Sequence, residues 1–107
     1  MIRHKGIEID VKNRVISHRG VIYQQRKHYG FALIFHLIMG QHSTEELFDL
    51  LYGHREDGGP EQGGNHISVM MSQKKELFAT LQLELKKERG AHARTRYQLV
   101  PKEAVDV

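Results

Sequence analysis

The amino-acid sequence predicts a small α+β domain, and three observations indicate that class. Short runs of alternating apolar and polar residues fill positions 7–23, which is the period of a half-buried β-strand. Between residues 25 and 79 the apolar residues recur at helical spacing instead. Alternation returns over 81–100, which predicts a C-terminal hairpin followed by a tail at 101–107. At 107 residues the chain has room for one domain.

The first segment, 7–23, is predicted to be an antiparallel sheet of short strands. Residues 7–10 alternate, residues 14–17 form a second short apolar run, and Gly20 precedes a third run at 21–23. Lys12-Asn13 and His18-Arg19-Gly20 supply turn residues between these runs. Strands that are this short and this close in sequence pair with their neighbours as an antiparallel sheet.

Three helices are predicted to follow the sheet. The first covers about 25–39 and is apolar on several sides, so it is expected at the centre of the core. The second covers about 44–52. It begins at a capping box, in which Ser43 and Glu46 bond to each other's backbone amides, and ends at Gly53.

The third predicted helix begins at a cap on Asn65 and runs to about residue 79. Its apolar face is interrupted by Lys74. The lysine either lays its stem along the edge of the core or marks a small rotation of the helix. Segment 54–64, before this helix, is a glycine-rich loop with no periodic apolar signal.

The composition excludes several classes of protein. The chain has no cysteine, so disulfides, thiol catalysis and cysteine-ligated metal sites are excluded. No apolar run approaches the roughly 18 residues of a membrane span, and the first 30 residues lack the apolar core of a signal peptide. We therefore expect a cytoplasmic protein that does not contact a membrane.

The net charge of +3 hides a segregation of charge along the chain. Residues 1–30 carry a net charge of +5, residues 31–72 carry −5, and residues 73–96 carry +4. Basic segments on both sides of an acidic middle predict a surface that meets phosphate groups. Chance clustering of charges on solvated faces is the alternative interpretation.

The order of sheet, three helices and hairpin is that of a winged helix-turn-helix, in which the final hairpin is the wing. The sequence resembles the effector domain of OmpR/PhoB-type response regulators over residues 7–100. The resemblance is spread over several segments that keep the family's order and spacing: 7–15 with Gly20, 31–34, 43–53, 67–73, and the wing pieces 89–90 and 97–99.

This resemblance implies a standalone DNA-binding transcription regulator of bacterial or phage type. The sequence contains no counterpart of the family's receiver domain, because Met1 comes just before the opening sheet, so we expect that aspartate phosphorylation does not control the protein if this chain is the whole gene product. By family analogy, homodimers or tandem copies are expected on repeated half-sites of double-stranded DNA.

If the family's DNA contacts are assigned to this sequence by position, the third helix would enter the major groove of DNA. Gln73 would be the central base-reading residue, because an amide can pair bidentately with adenine, and Val69 would touch a thymine methyl group. The family's arginines are missing from this helix. The other residues placed at this surface are His66, Ser68, Ser72 and Lys75, of which Lys75 would reach phosphate. An ordinary solvated face fits these residues equally well.

The predicted wing is strongly basic. Five basic residues fall within eleven positions, opposed only by Glu88: Lys86, Lys87, Arg89, Arg94 and Arg96. Arginine on a hairpin can enter the narrow minor groove, where the negative potential is enhanced, and lysines beside it neutralise phosphates. The alternative is a basic hairpin that only keeps the domain soluble.

The loop between the second and third helices has a counterpart in the family. There this connection can touch RNA polymerase, so Arg55, Glu56 and Asp57 are the residues that the resemblance assigns to such a contact. An insertion without any partner is the preferred interpretation of this segment.

Neither catalysis nor metal or cofactor binding is predicted. The eight histidines include no pair at the i, i+4 spacing of a helical zinc site, and His36 is interpreted as a core residue of the first helix. No nucleophile motif, Walker lysine or glycine-rich phosphate loop follows a strand.

Two hypotheses about function therefore stand beside each other. The first is a sequence-specific DNA-binding regulator. The second is a protein-interaction module on the same fold, which would bind RNA polymerase or another regulator through its arginine-poor third helix and acidic middle.

Overall fold

A computed structural model describes residues 1–53, 63–89 and 95–102 of the chain. Most of the loop predicted at 54–64 and of the tail predicted at 101–107 therefore lies outside the described residues. The α+β class, the N-terminal antiparallel sheet and the C-terminal hairpin are confirmed. The elements follow in the order β1 (Ile2–His4), β2 (Ile7–Asp10), β3 (Val15–His18), β4 (Val21–Gln24), α1 (His28–Met39), α2 (Thr44–Tyr52), α3 (Gly63–Gln73), α4 (Lys75–Thr80), β5 (Leu83–Glu88) and β6 (Arg96–Pro101).

The N-terminal sheet has the strand order β1-β2-β3-β4, and all neighbouring strands are antiparallel. Two of its hairpins close through two-residue turns, Lys5-Gly6 and Arg19-Gly20, in which both residues have positive φ. That conformation belongs to the type I′ turn, which matches the twist of paired strands and favours glycine. β1 was not predicted, because Ile2 is the only apolar residue of the segment Ile2–His4 and shows no alternation.

One face of this sheet is buried in the core of the domain. Ile7, Ile9 and Ile16 have no exposed surface. His18, at the end of β3, is also buried, and its Nδ1–H donates to the carbonyl oxygen of Leu81 over 2.7 Å. This hydrogen bond ties the sheet to the end of α4.

Helix α1 lies at the centre of the core, as its apolar composition predicts. Leu33, Ile34, Leu37 and Ile38 are fully buried, and β6 packs against the helix. The helix begins at His28, three residues later than predicted. Buried side chains on more than one side of α1 explain why its sequence lacks a polar face.

Helix α2 begins at the predicted capping box. Ser43 Oγ accepts from the Glu46 amide over 3.2 Å, and Glu46 Oε1 accepts from the Ser43 amide over 3.0 Å. Leu47 and Leu51 are buried, and the helix packs against α3. A Cβ at Gly53 would lie only 2.4 Å from the carbonyl oxygen of Asp49, so glycine is required where the helix ends.

The third predicted helix is two helices, which corrects the expected number from three to four. α3 ends at Gln73 and α4 begins at Lys75, with Lys74 between them at φ −102° and ψ 7°. Met71 before the break and Phe78 after it are both buried in the core. The apolar pattern therefore continues across the break, and the sequence shows one helix where the structure has two. α3 also begins at Gly63 and not after a cap at Asn65.

The C-terminal hairpin pairs Leu85 with Leu99 and Lys87 with Tyr97. Leu81, predicted to open the first strand, lies instead in the turn after α4 and is fully buried there. The hairpin therefore presents Leu85, Lys87, Tyr97 and Leu99 on one face, because successive side chains alternate between faces of a strand.

Replacing Ser43 by alanine tests the contribution of the capping box. We expect Ser43→Ala to lower the free energy of unfolding by about 1 kcal/mol, because a first-turn amide loses its acceptor. Urea unfolding measures the change. The control is Thr44→Ala, whose hydroxyl only reaches the neighbouring Glu45 side chain among the contacts described. Equal stability of the two variants would show that the capping box does not stabilise the fold.

Replacing Lys74 by leucine tests whether the partly buried lysine at the break between α3 and α4 destabilises the fold. Lys74→Leu should raise the free energy of unfolding, on the order of 1 kcal/mol, because it removes a partly buried charge from the edge of the core. The exposed neighbour Lys75, changed to leucine, should leave the stability nearly unchanged. A loss of stability in Lys74→Leu would show that the lysine is a favourable part of the fold.

Candidate nucleic-acid interface

The exposed side of α3 is a narrow ridge of uncharged side chains. It consists of Asn65, Val69, Ser72 and Gln73, all exposed, and we call it the α3 ridge. At 100° per residue these positions fall within roughly 100° of one another around the helix. Three of the residues predicted to meet DNA bases, Val69, Ser72 and Gln73, therefore share one surface. Their amide, hydroxyl and methyl groups are the types that contact base edges.

On one side, the α3 ridge borders a groove that it shares with the hairpin. Ser68, Ser72 and Lys75 line this hairpin groove, of about 140 Å³, from the helices, and Lys87 and Tyr97 line it from the strands. Lys87 Nζ lies 5.9 Å from the centre of the Tyr97 ring, within the range of a cation–π interaction. The structure thus brings together predicted site residues that are up to 19 positions apart in the sequence.

Two contacts hold the hairpin in this place. The His42 amide donates to the Tyr97 carbonyl over 3.0 Å, and the Tyr97 amide donates to the His42 carbonyl over 2.8 Å. Arg96 Nε also lies 3.7 Å from Glu46 Oε1. The hydrogen bonds from Ser43, and then the charge of Arg96, hold the pKa of Glu46 below its ordinary value. Arg96 is thus both exposed and part of the contact with α2.

The remaining predicted wing residues are distributed over both faces of the hairpin. Lys86 and Arg89 are exposed, but Lys86 pairs with Gln98 and points away from the face that holds Lys87. Arg94 lies outside the described residues. The predicted polymerase contacts lie outside them as well: Arg55, Glu56 and Asp57.

His66, predicted at the floor of the DNA groove, lies beside the α3 ridge. Its Nε2 is 3.0 Å from the Tyr52 hydroxyl, and the two rings are 5.7 Å apart. Tyr52 is 4% exposed and also packs on Tyr29 and Phe48. His66 therefore joins α3 to the end of α2 and helps to orient the ridge.

On its other side, the α3 ridge borders a larger groove of about 450 Å³, which we call the α1 groove. It is lined by the start of α1, the end of α2 and one flank of α3, including Lys27, Tyr29, Tyr52, His66, Gln73 and Lys74. Burial, and then the nearby charge of Lys27, lower the pKa of Lys74. A negatively charged ligand in this groove would favour the charged form of Lys74 and so offset both effects.

The histidines form no metal site in the part of the chain that the structure describes, where no three potential ligands cluster. His36 lies half-buried on α1, with its ring 6.1 Å from that of His42. Burial, and then the charge of His42, lower the pKa of His36. The neutral imidazole is therefore the form that the fold favours.

Sequence reasoning missed several residues of this surface. Tyr97 was noted only as an alternating strand residue, because its pairing with Lys87 depends on the length of the connection between β5 and β6. Lys27 and Tyr29 were not singled out, since nothing local links them to α3. A usable signal was present at Lys74, where a charged residue occupies an apolar position.

Comparison of the chain with protein-family models, with curated proteins and with solved structures finds no match. In the residues that the structure covers, no helix is long and apolar enough to cross a membrane.

The lowered pKa of His36 predicts a stability that depends on pH. The unfolded histidine takes up a proton near pH 6.5, but the folded one does so only at lower pH. Stability is therefore full above that value and falls as the pH drops toward the folded-state pKa. Urea unfolding at pH 7.5 and pH 5 should show a smaller loss for His36→Gln than for the wild type. The exposed His28, changed to glutamine, serves as control, and identical profiles for wild type and His36→Gln would contradict the argument.

Proposed function

We propose that this chain is a winged helix-turn-helix protein that binds double-stranded DNA and regulates transcription. The observation that carries the proposal is the hairpin groove, where the α3 ridge meets Lys75 and Lys87. The packing of α2 against α3, followed in the chain by a hairpin, supports the same interpretation. The resemblance to OmpR/PhoB-type effector domains implies the same activity.

In the proposed complex the α3 ridge lies in the major groove, which is about 12 Å wide and admits a helix. Gln73 pairs with an adenine edge, Val69 contacts a thymine methyl group, and Ser72 bonds to either base of a pair. Ser68 and His66 flank these contacts on opposite sides of the ridge. The ridge carries no charge, so its contribution is to the choice of sequence more than to overall affinity.

The hairpin supplies the charge that the ridge lacks. Lys87 and Lys75 neutralise phosphates beside the helix, while Arg89, with Arg94, enters the minor groove. Lys86 adds a phosphate contact from the outer face of the hairpin. Arg96 contributes less, because Glu46 lies within 3.7 Å of its guanidinium group. Homodimers or tandem copies on repeated half-sites belong to the same proposal.

Selection from a randomised duplex library, followed by a salt titration of the enriched sequences, tests the proposal. An enriched motif with a steep salt dependence would support it, and the spacing of half-sites would reveal the number of copies bound. Salt-sensitive binding without a motif would remove the base-reading role from the α3 ridge. No binding at low salt would overturn the proposal.

Charge reversal in the hairpin makes a sharper prediction. Lys87→Glu combined with Arg89→Glu should lower affinity for the selected duplex by more than about 60-fold at 0.1 M salt and lower the salt slope by at least about two, because two phosphate contacts are lost and the DNA repels two new negative charges. Fluorescence anisotropy across a salt series measures both quantities. The matched control reverses Lys5 and Lys12, which lie in turns of the N-terminal sheet. Equal losses in both variants would indicate only a general effect of net charge.

A protein-interaction module remains the second candidate, and one observation favours it. The α3 ridge has no positive charge, and α2 exposes Glu45, Asp49 and Leu50, the last at 44%. A basic protein partner would fit that acidic surface. If the hairpin reversal leaves a complex with RNA polymerase intact while the wild type binds no duplex, this second function would replace the first.

A further inference from the structure

The α3 ridge is bordered by lysines on both sides. On the hairpin side they are Lys75 and Lys87, and on the side of the α1 groove they are Lys27 and Lys74. A helix in the major groove has a row of phosphates on each side, because both strands bound that groove. The two lysine pairs therefore have the arrangement that two rows of phosphates require.

Lys74 is held in the α1 groove by the shape of the start of α1. A Cβ at position 30 would lie 3.2 Å from Lys74 Nζ and also 3.2 Å from the Gln25 side chain, so Gly30 leaves room for the ammonium group. The break between α3 and α4 falls at the same lysine. Local backbone and side-chain packing thus direct a positive charge to this groove.

In the part of the chain that the structure describes, the two lysines of the α1 groove have no acidic partner. Among the described residues, no carboxylate lies within ion-pair distance of Lys27 or Lys74. The charge of Lys27 also raises the cost of charging Lys74. The lining holds several polar groups, among them Tyr52, His66 and Gln73, and no acid. This is the composition of a site for an oxyanion and not for a cation.

We propose that Lys27 and Lys74 bind a backbone phosphate of the DNA strand that runs along the α1 side of α3. The inference rests on the proposed function, and it adds a second contact surface that the wing does not provide. The first turn of α1 also favours a negatively charged group in this groove. This turn lines the groove, has no acidic residue, and begins at Lys27 without a side-chain cap from that residue, so the positive end of the helix adds to the positive potential of the groove.

The experiment compares three variants with the wild type on the selected duplex across a salt series. The test variant combines Lys27→Gln with Lys74→Met, which keeps the lysine stem but removes the charge. The control combines Lys5→Gln with Lys102→Gln and loses the same net charge elsewhere. Urea unfolding midpoints verify that each protein is folded. A third protein, Lys74→Arg, retains the charge and should bind nearly as tightly as the wild type.

The expected result is a salt slope smaller by about two and an affinity lower on the order of 60-fold at 0.1 M salt, in the test variant alone. If the wild type binds the duplex and the test variant matches it, the inference is overturned while the proposed function stands. If the wild type binds no duplex, both fail.

A titration with inorganic phosphate distinguishes a DNA phosphate from free phosphate as the ligand of this groove. The NMR amide resonances of residues 27–30 and 74 report the binding. Saturation by phosphate alone, lost in the test variant while DNA affinity is unchanged, would overturn the DNA contact in favour of a small phosphate ligand. Shifts that appear only with duplex would support the contact with DNA.

Discussion

The geometry of the candidate interface depends on two backbone hydrogen bonds between His42 and Tyr97. They fasten β6 to the segment between α1 and α2, and Leu99, two residues further along, is fully buried in the core. β5 is positioned through its pairing with β6 and its contact with α4. A shift of one residue in the bridge would turn Tyr97 to the opposite face and remove Lys87 from the side of α3. The α3 ridge and the hairpin form one surface only because this bridge sets their register.

A second constraint lies at Lys74, a charged residue at a position where the fold favours an apolar one. The apolar pattern of α3 and α4 calls for a leucine, but the chain has a lysine, with its ammonium group half-buried and close to another lysine. Such a residue destabilises the folded state. Conflicts of this kind concentrate at functional sites, where the missing interaction is supplied by a ligand. The stability lost at Lys74 and the affinity proposed for the α1 groove are then two consequences of one side chain.

The fold could be predicted from sequence where the determinants are local. Ser43 and Glu46 form their capping box because both partners lie within one helical turn, and Ile7 and Ile9 are buried because alternation directs them to the same face. Prediction failed where the decisive contact joins distant segments. Helix α3 ends just before Lys74, whose ammonium group lies close to Gly30 of α1, and a lysine at an apolar position does not by itself indicate a helix break. The hairpin groove depends likewise on the pairing of Lys87 with Tyr97, which lie ten positions apart in the sequence.

In the proposed complex, phosphate binding and base reading are carried by different residues, whereas a recognition helix rich in arginine would combine the two. Phosphate contacts give affinity without regard to sequence, whereas contacts to base edges discriminate among sequences. In the proposed complex the α3 ridge that faces the bases is uncharged, and the lysines lie in the grooves on either side of it. Changes in the flanking lysines would therefore alter affinity equally for all sequences, while changes in Val69 or Gln73 would alter the preference and leave the salt dependence unchanged. A helix without arginine is in this view compatible with DNA binding, because the neighbouring elements carry the charge.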